Sequence, residues 1–146
     1  MPLVEICGKK YDTETTTQLD ISGKKLSYLP AELVLFKKLV KLECYGNNLT
    51  SLENLPPNLI ELVCSFNKIT SLENLPPNLQ ILDCSYTNLT SLDNLPPNLL
   101  ELYCSDNKLT ILSKLPSGLI NLYCSSNKLL NLDNISPSLE SIILLQ

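Results

Sequence analysis

The sequence predicts a repeat solenoid of α/β type that is mostly β, with short strands on one side and thin, largely non-helical return segments on the other. Two observations predict it. A Leu-x-Cys segment recurs every twenty residues, at 42–44, 62–64, 82–84, 102–104 and 122–124. Pro-Pro pairs recur with the same period between these segments. A unit this short cannot bury its own apolar side chains, so neighbouring copies must stack.

Each Leu-x-Cys segment is expected to be a short strand. Leu62 and Cys64 are two residues apart, so on an extended strand both point to one side, while Glu61 and Val63 point to the other. One side of the sheet is therefore core and the other is free.

The return segments are expected to be extended or turn-like. The proline pairs at 56–57, 76–77 and 96–97 have no backbone donor and a fixed φ, which excludes an α-helix. The first repeat differs, because Pro30 precedes several good helix formers. A short helix is predicted within residues 30–38.

Both ends of the repeat array depart from the regular twenty-residue pattern. Residues 1–16 lie outside the pattern and are predicted to be a cap, with a possible β-hairpin around Gly8. Residues 17–146 hold seven repeats, the last of them partial. The run 142–146 (Ile-Ile-Leu-Leu-Gln) suggests an apolar, unpaired strand edge that could pair with a second copy to form a homodimer.

Within one unit, residues 59–69 follow the spacing L-x-x-L-x-[CL]-x-x-N-x-[LI]. This resembles the leucine-rich-repeat family, and the resemblance covers residues 16–146. The segment that follows, Thr-Ser-Leu-Glu-Asn-Leu-Pro-Pro-Asn at 70–78, is similar to the short repeats of bacterial effectors and large DNA viruses. The resemblance implies a curved right-handed coil with the parallel sheet on its concave face.

Five of the six cysteines share one core position: Cys44, Cys64, Cys84, Cys104 and Cys124. We expect them to stack in a column of free, buried thiols in a reducing compartment. The spacing of about 4.8 Å between strands also allows disulfides, which stay an alternative. A metal site has the least support, because the chain has no His and no C-x-x-C segment. The sequence does not place Cys7.

An asparagine follows most of the predicted strands, at Asn47, Asn67, Asn107 and Asn127. An inward amide can satisfy backbone groups of its own coil and of the adjacent one, and the resemblance implies such an asparagine ladder. Thr87 replaces the amide in one repeat, and its hydroxyl has fewer donors. We expect the ladder to be weaker there.

Several function classes find no support. Catalytic triads need a His that the chain lacks, and no Gly-rich phosphate loop is present. Cys104, Ser105 and Asp106 resemble the C-x-D of effector ubiquitin ligases, but they lie within a repeat. We therefore expect no enzyme activity and no cofactor.

Charge and hydropathy bear on partners and location. The net charge of −4, without a dense Lys/Arg tract, argues against nucleic-acid and membrane partners. Neither a signal-peptide pattern nor a run of about 18 apolar residues occurs. The expectation is a cytoplasmic protein, in the host cytoplasm if it is a viral protein or an effector.

The free side of the sheet is the remaining candidate site. Its outward positions predict a mixed apolar patch with an acidic rim, like a hot-spot centre with a polar border. The apolar members are Val63, Phe66, Ile81, Tyr86, Tyr103 and Tyr123; the rim includes Glu43, Glu61, Asp83, Glu101 and Asp106. The alternative is that these aromatic side chains only stack and stabilise the sheet. Lys68, Lys108 and Lys128 recur at another outward position, which favours a solvated edge.

These features support three hypotheses about function. The leading hypothesis is a non-enzymatic scaffold that binds a protein with a basic patch through the concave sheet. A second is a structural protein that self-associates through its C-terminal edge. The third is the substrate-recognition part of a larger ligase or effector.

Overall fold

The computed structural model describes residues 2–132, 135 and 138–143. Nine strands occur in this part of the chain: β1 (Leu3–Ile6), β2 (Lys9–Asp12), β3 (Gln18–Asp20), β4 (Lys41–Glu43), β5 (Glu61–Val63), β6 (Ile81–Asp83), β7 (Glu101–Tyr103), β8 (Asn121–Tyr123) and β9 (Ser141–Ile143). β3 to β9 form one seven-stranded parallel sheet in sequence order. The predicted mostly β solenoid with a parallel sheet is confirmed.

The strands of this parallel sheet are only three residues long, because every coil must turn back within about twenty residues. In each strand from β4 to β8 the central leucine is buried and its two neighbours are half-buried. The backbone hydrogen bonds between adjacent strands continue one residue beyond each strand. Cys44 N–H donates to Val63 O and Cys64 N–H donates to Asp83 O, both at 2.8 Å. The alternation expected for Leu62 and Cys64 is therefore present.

The core lies between the sheet and the return segments. In one coil it consists of Leu42, Cys44, Leu49, Leu52 and Leu59, none more than 2% exposed, and the same positions are buried in the next three coils. Replacing one such leucine by alanine is expected to cost about 2–5 kcal/mol.

The return segments contain turns and extended chain at the proline pairs, as expected. The predicted helix of the first repeat is present, but it is a single 3₁₀ helix at Ala31–Leu35, preceded by Pro30. Leu33 N–H donates to Pro30 O at 3.2 Å, and Phe36 N–H donates to Leu33 O at 3.3 Å. This spacing of three residues buries Leu33 and Phe36 together.

An antiparallel hairpin precedes the first coil. β1 and β2 pair from Leu3 with Asp12 to Ile6 with Lys9, and the turn between them holds Cys7 and Gly8 at positive φ. Ile6 is 1% exposed and belongs to the core, whereas Cys7 is exposed. The expected hairpin is present; the division of the chain at residue 16 stays a prediction.

The cysteine column is buried and free of disulfides. Cys44, Cys64, Cys84 and Cys104 are 0% exposed and Cys124 is 1% exposed. Burial raises the pKa of the Cys44 thiol to about 12. A thiol that is both buried and protonated behaves as a small apolar side chain.

The asparagine ladder joins adjacent coils. Asn67 Nδ2 donates to Cys44 O and Cys64 O, each at 3.0 Å, and its Oδ1 accepts from Leu49 N–H at 2.9 Å. Asn107 and Asn127 repeat the pattern. One amide thus satisfies backbone groups on two coils, as predicted.

The final coil is described only in part. Ile142 is half-buried on β9, and Ile143 is 39% exposed. The apolar edge predicted for 142–146 includes Leu144, Leu145 and Gln146, which lie outside the described residues.

Candidate protein-binding face

Three rows of side chains make up the free face of the sheet. The first row contains the first residue of each strand and the second row the third residue, and the register aligns them from one coil to the next. The third row, called the turn row, contains the residue three positions after each second-row residue. The predicted site residues divide into Glu61, Ile81 and Glu101 in the first row, Val63, Asp83, Tyr103 and Tyr123 in the second, and Phe66 and Tyr86 in the turn row.

Tyr103 and Tyr123 form an aromatic stack in the second row. Their ring centroids are 4.4 Å apart and their planes differ by 2°. The Tyr103 hydroxyl donates to Glu101 Oε2 at 3.0 Å. Burial, together with this carboxylate, raises the pKa of Tyr103 to about 12. The phenol therefore stays a neutral donor, held in one orientation.

Phe66 and Tyr86 form a second stack, in the turn row. Their centroids are 4.3 Å apart, with an interplanar angle of 9°. Both are well exposed, Phe66 at 56% and Tyr86 at 48%. Asp106 lies next in the row, and its charge and hydrogen bond raise the pKa of the Tyr86 hydroxyl.

The backbone of the turn row is left-handed. φ is 54° at Phe66, 52° at Tyr86, 55° at Asp106 and 53° at Ser126. For residues with a side chain this conformation costs about 1–2 kcal/mol. The turn nevertheless adds a backbone hydrogen bond between adjacent coils, since Phe66 N–H donates to Ser85 O at 3.0 Å. The fold thus holds two exposed aromatic side chains on a constrained backbone.

Lys41 neutralises part of the acidic charge. Its Nζ lies 3.1 Å from Glu43 Oε1 and 3.0 Å from Glu61 Oε1, and the hydrogen bond to Glu61, followed by that to Glu43, raises the pKa of the ammonium group. Across the described residues these are the two salt bridges on the face. Asp83 accepts a turn hydrogen bond from Ser85 N–H at 3.0 Å. Asp83, Glu101 and Asp106 therefore leave a negative surface around the stacks.

Aromatic side chains are neighbours within two of the rows, whereas the two aliphatic side chains have acidic neighbours within theirs. In the second row Val63 lies between Glu43 and Asp83. In the first row Ile81 lies between Glu61 and Glu101. The face therefore consists of two aromatic stacks set among acids, with single aliphatic side chains between charges.

Sequence reasoning missed two features of this face. The double salt bridge of Lys41 could have been inferred, because Lys41 and Glu61 align in the first row. The left-handed turn row also had a signal, namely Gly46 at a position that other coils fill with Phe66 or Tyr86. The lysines at 68, 108 and 128 are exposed, as a solvated edge requires.

The described residues offer little support for a metal site, a ligand pocket or a membrane-spanning helix. No group of three or more His, Cys, Asp or Glu side chains there is placed to hold a metal ion. A shallow cavity of about 240 Å³ lies at the N-terminal end of the face, lined by Gln18, Leu19, Asp20, Lys41 and Glu43. No helix in this part of the chain has both the length and the apolar character needed to cross a membrane.

Comparison with solved structures finds similar coils in bacterial proteins. The leucine-rich-repeat domain of a Shigella effector matches with a TM-score of 0.74 and 34% identity, over 84% of this chain and 55% of its own. YopM from Yersinia enterocolitica matches with a TM-score of 0.78 and 38% identity, over 88% of this chain and 28% of its own.

The functional domain of InlJ from Listeria monocytogenes, which includes a cysteine ladder, is similar as well. Its TM-score is 0.67 at 30% identity, and the match covers 88% of this chain and 32% of InlJ. The chain thus spans 55% of the Shigella domain and less than a third of YopM and InlJ. No protein-family model and no curated protein matches the chain.

Proposed function

Because this chain is a leucine-rich-repeat protein whose coils are similar to those of bacterial effectors, we propose that it is a non-enzymatic scaffold that binds another protein through its concave face. The partner presents a basic patch to the acids that surround the two aromatic stacks. The free cysteines support a reducing compartment such as the cytoplasm. If the chain is part of a longer ligase or effector, the same face would select its substrate.

The observation that carries the proposal is the exposure of the Phe66–Tyr86 stack. If the two rings only stabilised the sheet, burial would favour them most, yet Phe66 is 56% and Tyr86 48% exposed to solvent. The backbone beneath them has a conformation that costs energy for large side chains. Rigid, exposed aromatic side chains among polar groups are typical of binding hot spots.

Charge supports a basic partner. Asp83, Glu101 and Asp106 have hydrogen bonds within the protein but no salt bridge among the described residues. Complementary charge accelerates encounter and disfavours wrong partners. A surface rich in Lys or Arg therefore fits this face better than a neutral or acidic one.

The test is affinity capture from lysate with quantitative mass spectrometry, comparing the wild type with the double variant Tyr103→Ala/Tyr123→Ala. We expect the variant to lose the proteins that the wild type enriches. A matched control is Lys68→Ala/Lys108→Ala, which removes two exposed side chains outside the three rows. If both variants capture the same proteins as the wild type, the concave face is not the binding site.

A further inference from the structure

The Phe66–Tyr86 stack is open at one end. Tyr86 covers one face of the Phe66 ring, at 4.3 Å between centroids. The next position in the turn row on the other side is Gly46, which has no side chain to cover it. Among the described residues Tyr86 is the one ring stacked on Phe66, so the second face of Phe66 has no aromatic partner.

Glycine avoids backbone strain at position 46, but the turn tolerates other residues at the equivalent position. Its φ is 63°, and Phe66, Tyr86, Asp106 and Ser126 adopt nearly the same value at the equivalent position. Space does not require it either, because a Cβ atom at Gly46 would meet only Gly23 N, at 4.0 Å. What glycine does here is leave a gap one coil wide beside the Phe66 ring, since adjacent strands are about 4.8 Å apart.

The charge on the two coils that border this gap favours a cation. Glu43 lies on the same coil as Gly46, and Glu61 on the same coil as Phe66. Lys41 pairs with both carboxylates, so two negative charges share one positive charge. The group that fits must be planar, to stack against a ring, and positively charged. Arginine has both properties, because its guanidinium stacks on aromatic faces, whereas the ammonium of lysine is a compact, strongly hydrated charge.

We propose that the gap over Gly46 receives an arginine side chain of the partner, which stacks on Phe66 as the third layer of the Phe66–Tyr86 pile. This inference rests on the proposed function, because it names which basic residue the concave face selects and where. The guanidinium covers the open ring face, between the two coils that carry Glu43 and Glu61. It makes Phe66 and Gly46 specificity-determining positions.

The test uses two substitutions whose side chains already occupy the same turn position in other coils. Gly46→Tyr fills the gap with a ring, as Tyr86 does one coil beyond Phe66. Gly46→Ser adds only a hydroxymethyl group, as Ser126 does, and leaves the ring accessible. Circular dichroism and thermal unfolding of both variants establish that the coil is retained.

The probe is a library of random dodecapeptides displayed on phage, selected on the full wild-type chain. We expect the selected peptides to contain arginine, and replacing that arginine by lysine should weaken binding about tenfold. The Gly46→Tyr variant should lose these peptides, whereas Gly46→Ser should retain them.

Three results separate the two proposals. Peptides that bind the wild type and Gly46→Tyr equally overturn the arginine position, while the concave face still stands if Tyr103→Ala/Tyr123→Ala abolishes binding. Peptides that tolerate lysine in place of arginine also overturn it. Peptides that bind every variant alike, including the two-tyrosine variant, overturn the proposed function itself.

Discussion

Tyr103 and Tyr123 lie opposite each other on β7 and β8, with ring centroids 4.4 Å apart and planes within 2° of parallel. Glu101, two residues before Tyr103 on the same strand, accepts its hydroxyl hydrogen bond. The pair is thus tied together by stacking across the strands and by a hydrogen bond along one of them. A partner that contacts the second row meets a fixed, neutral phenol.

This arrangement predicts a pH dependence at high pH. The pKa of Tyr103 is raised from 10 to about 12 in the folded chain, by burial first and by Glu101 second. The neutral phenol therefore contributes stability that is complete below pH 10 and is lost as the pH rises from 10 toward 12. Absorbance at 295 nm, as the difference between wild type and Tyr103→Phe, should give a transition near pH 12. A transition near 10 would show that the phenol is not held in this environment.

The interrupted rung of the asparagine ladder predicts a stabilising substitution. Thr87 contacts Cys84 O at 2.9 Å and Asn107 Oδ1 at 2.7 Å, but its single proton can serve only one of them. Among the described residues Thr87 lacks the two bonds to the preceding coil that an asparagine would make, one accepted from Ile69 N–H and one donated to Cys64 O. Thr87→Asn should stabilise the fold by about 1 kcal/mol.

Urea unfolding of wild type and Thr87→Asn measures this gain. The reverse change, Asn67→Thr, is the matched control and should destabilise by about 1–3 kcal/mol, because it removes bonds to two coils. Equal midpoints for Thr87→Asn and wild type would mean that the missing rung costs nothing.

The cysteine column predicts a sharp difference in thiol reactivity. Burial raises the pKa of Cys44 to about 12. A hydrogen bond with Cys104 lowers the pKa of Cys124, but that thiol is only 1% exposed, whereas Cys7 is exposed on the hairpin turn. The thiolate is the reactive form, so in the native chain at pH 8 maleimide should label Cys7 alone. Intact-mass spectrometry should show one adduct in buffer and six in denaturant, and none in buffer for Cys7→Ser. Rapid labelling of further thiols in the native chain contradicts a closed core.

Spacing alone predicted the strands, the buried leucines, the cysteine column and the asparagine ladder. These features depend on whether a side chain points into the core or away from it. The twenty-residue period determines this orientation in every coil. The convex side was equally predictable, because a Pro-Pro pair excludes an α-helix wherever it occurs.

The remaining features depend on contacts that a period does not encode. The segment after Pro30 contains good helix formers, yet it makes only one 3₁₀ turn, because Leu33 and Phe36 must both reach the core. Val63 and Ile81 were expected to join the aromatic side chains, but in their rows each lies between two acids. The aromatic side chains of the expected patch form two stacks, since aromatic neighbours in a row pair with each other. The patch as a whole stays a prediction.

The most direct test of the central claim is site-specific photo-crosslinking in lysate. A benzoylphenylalanine at position 123 lies in the second row of the concave face, and one at position 78 replaces the exposed Asn78 of a return segment. The account predicts that the probe at 123 crosslinks a discrete partner protein, and that the probe at 78 does not. A partner captured from position 78 and not from position 123 would contradict it.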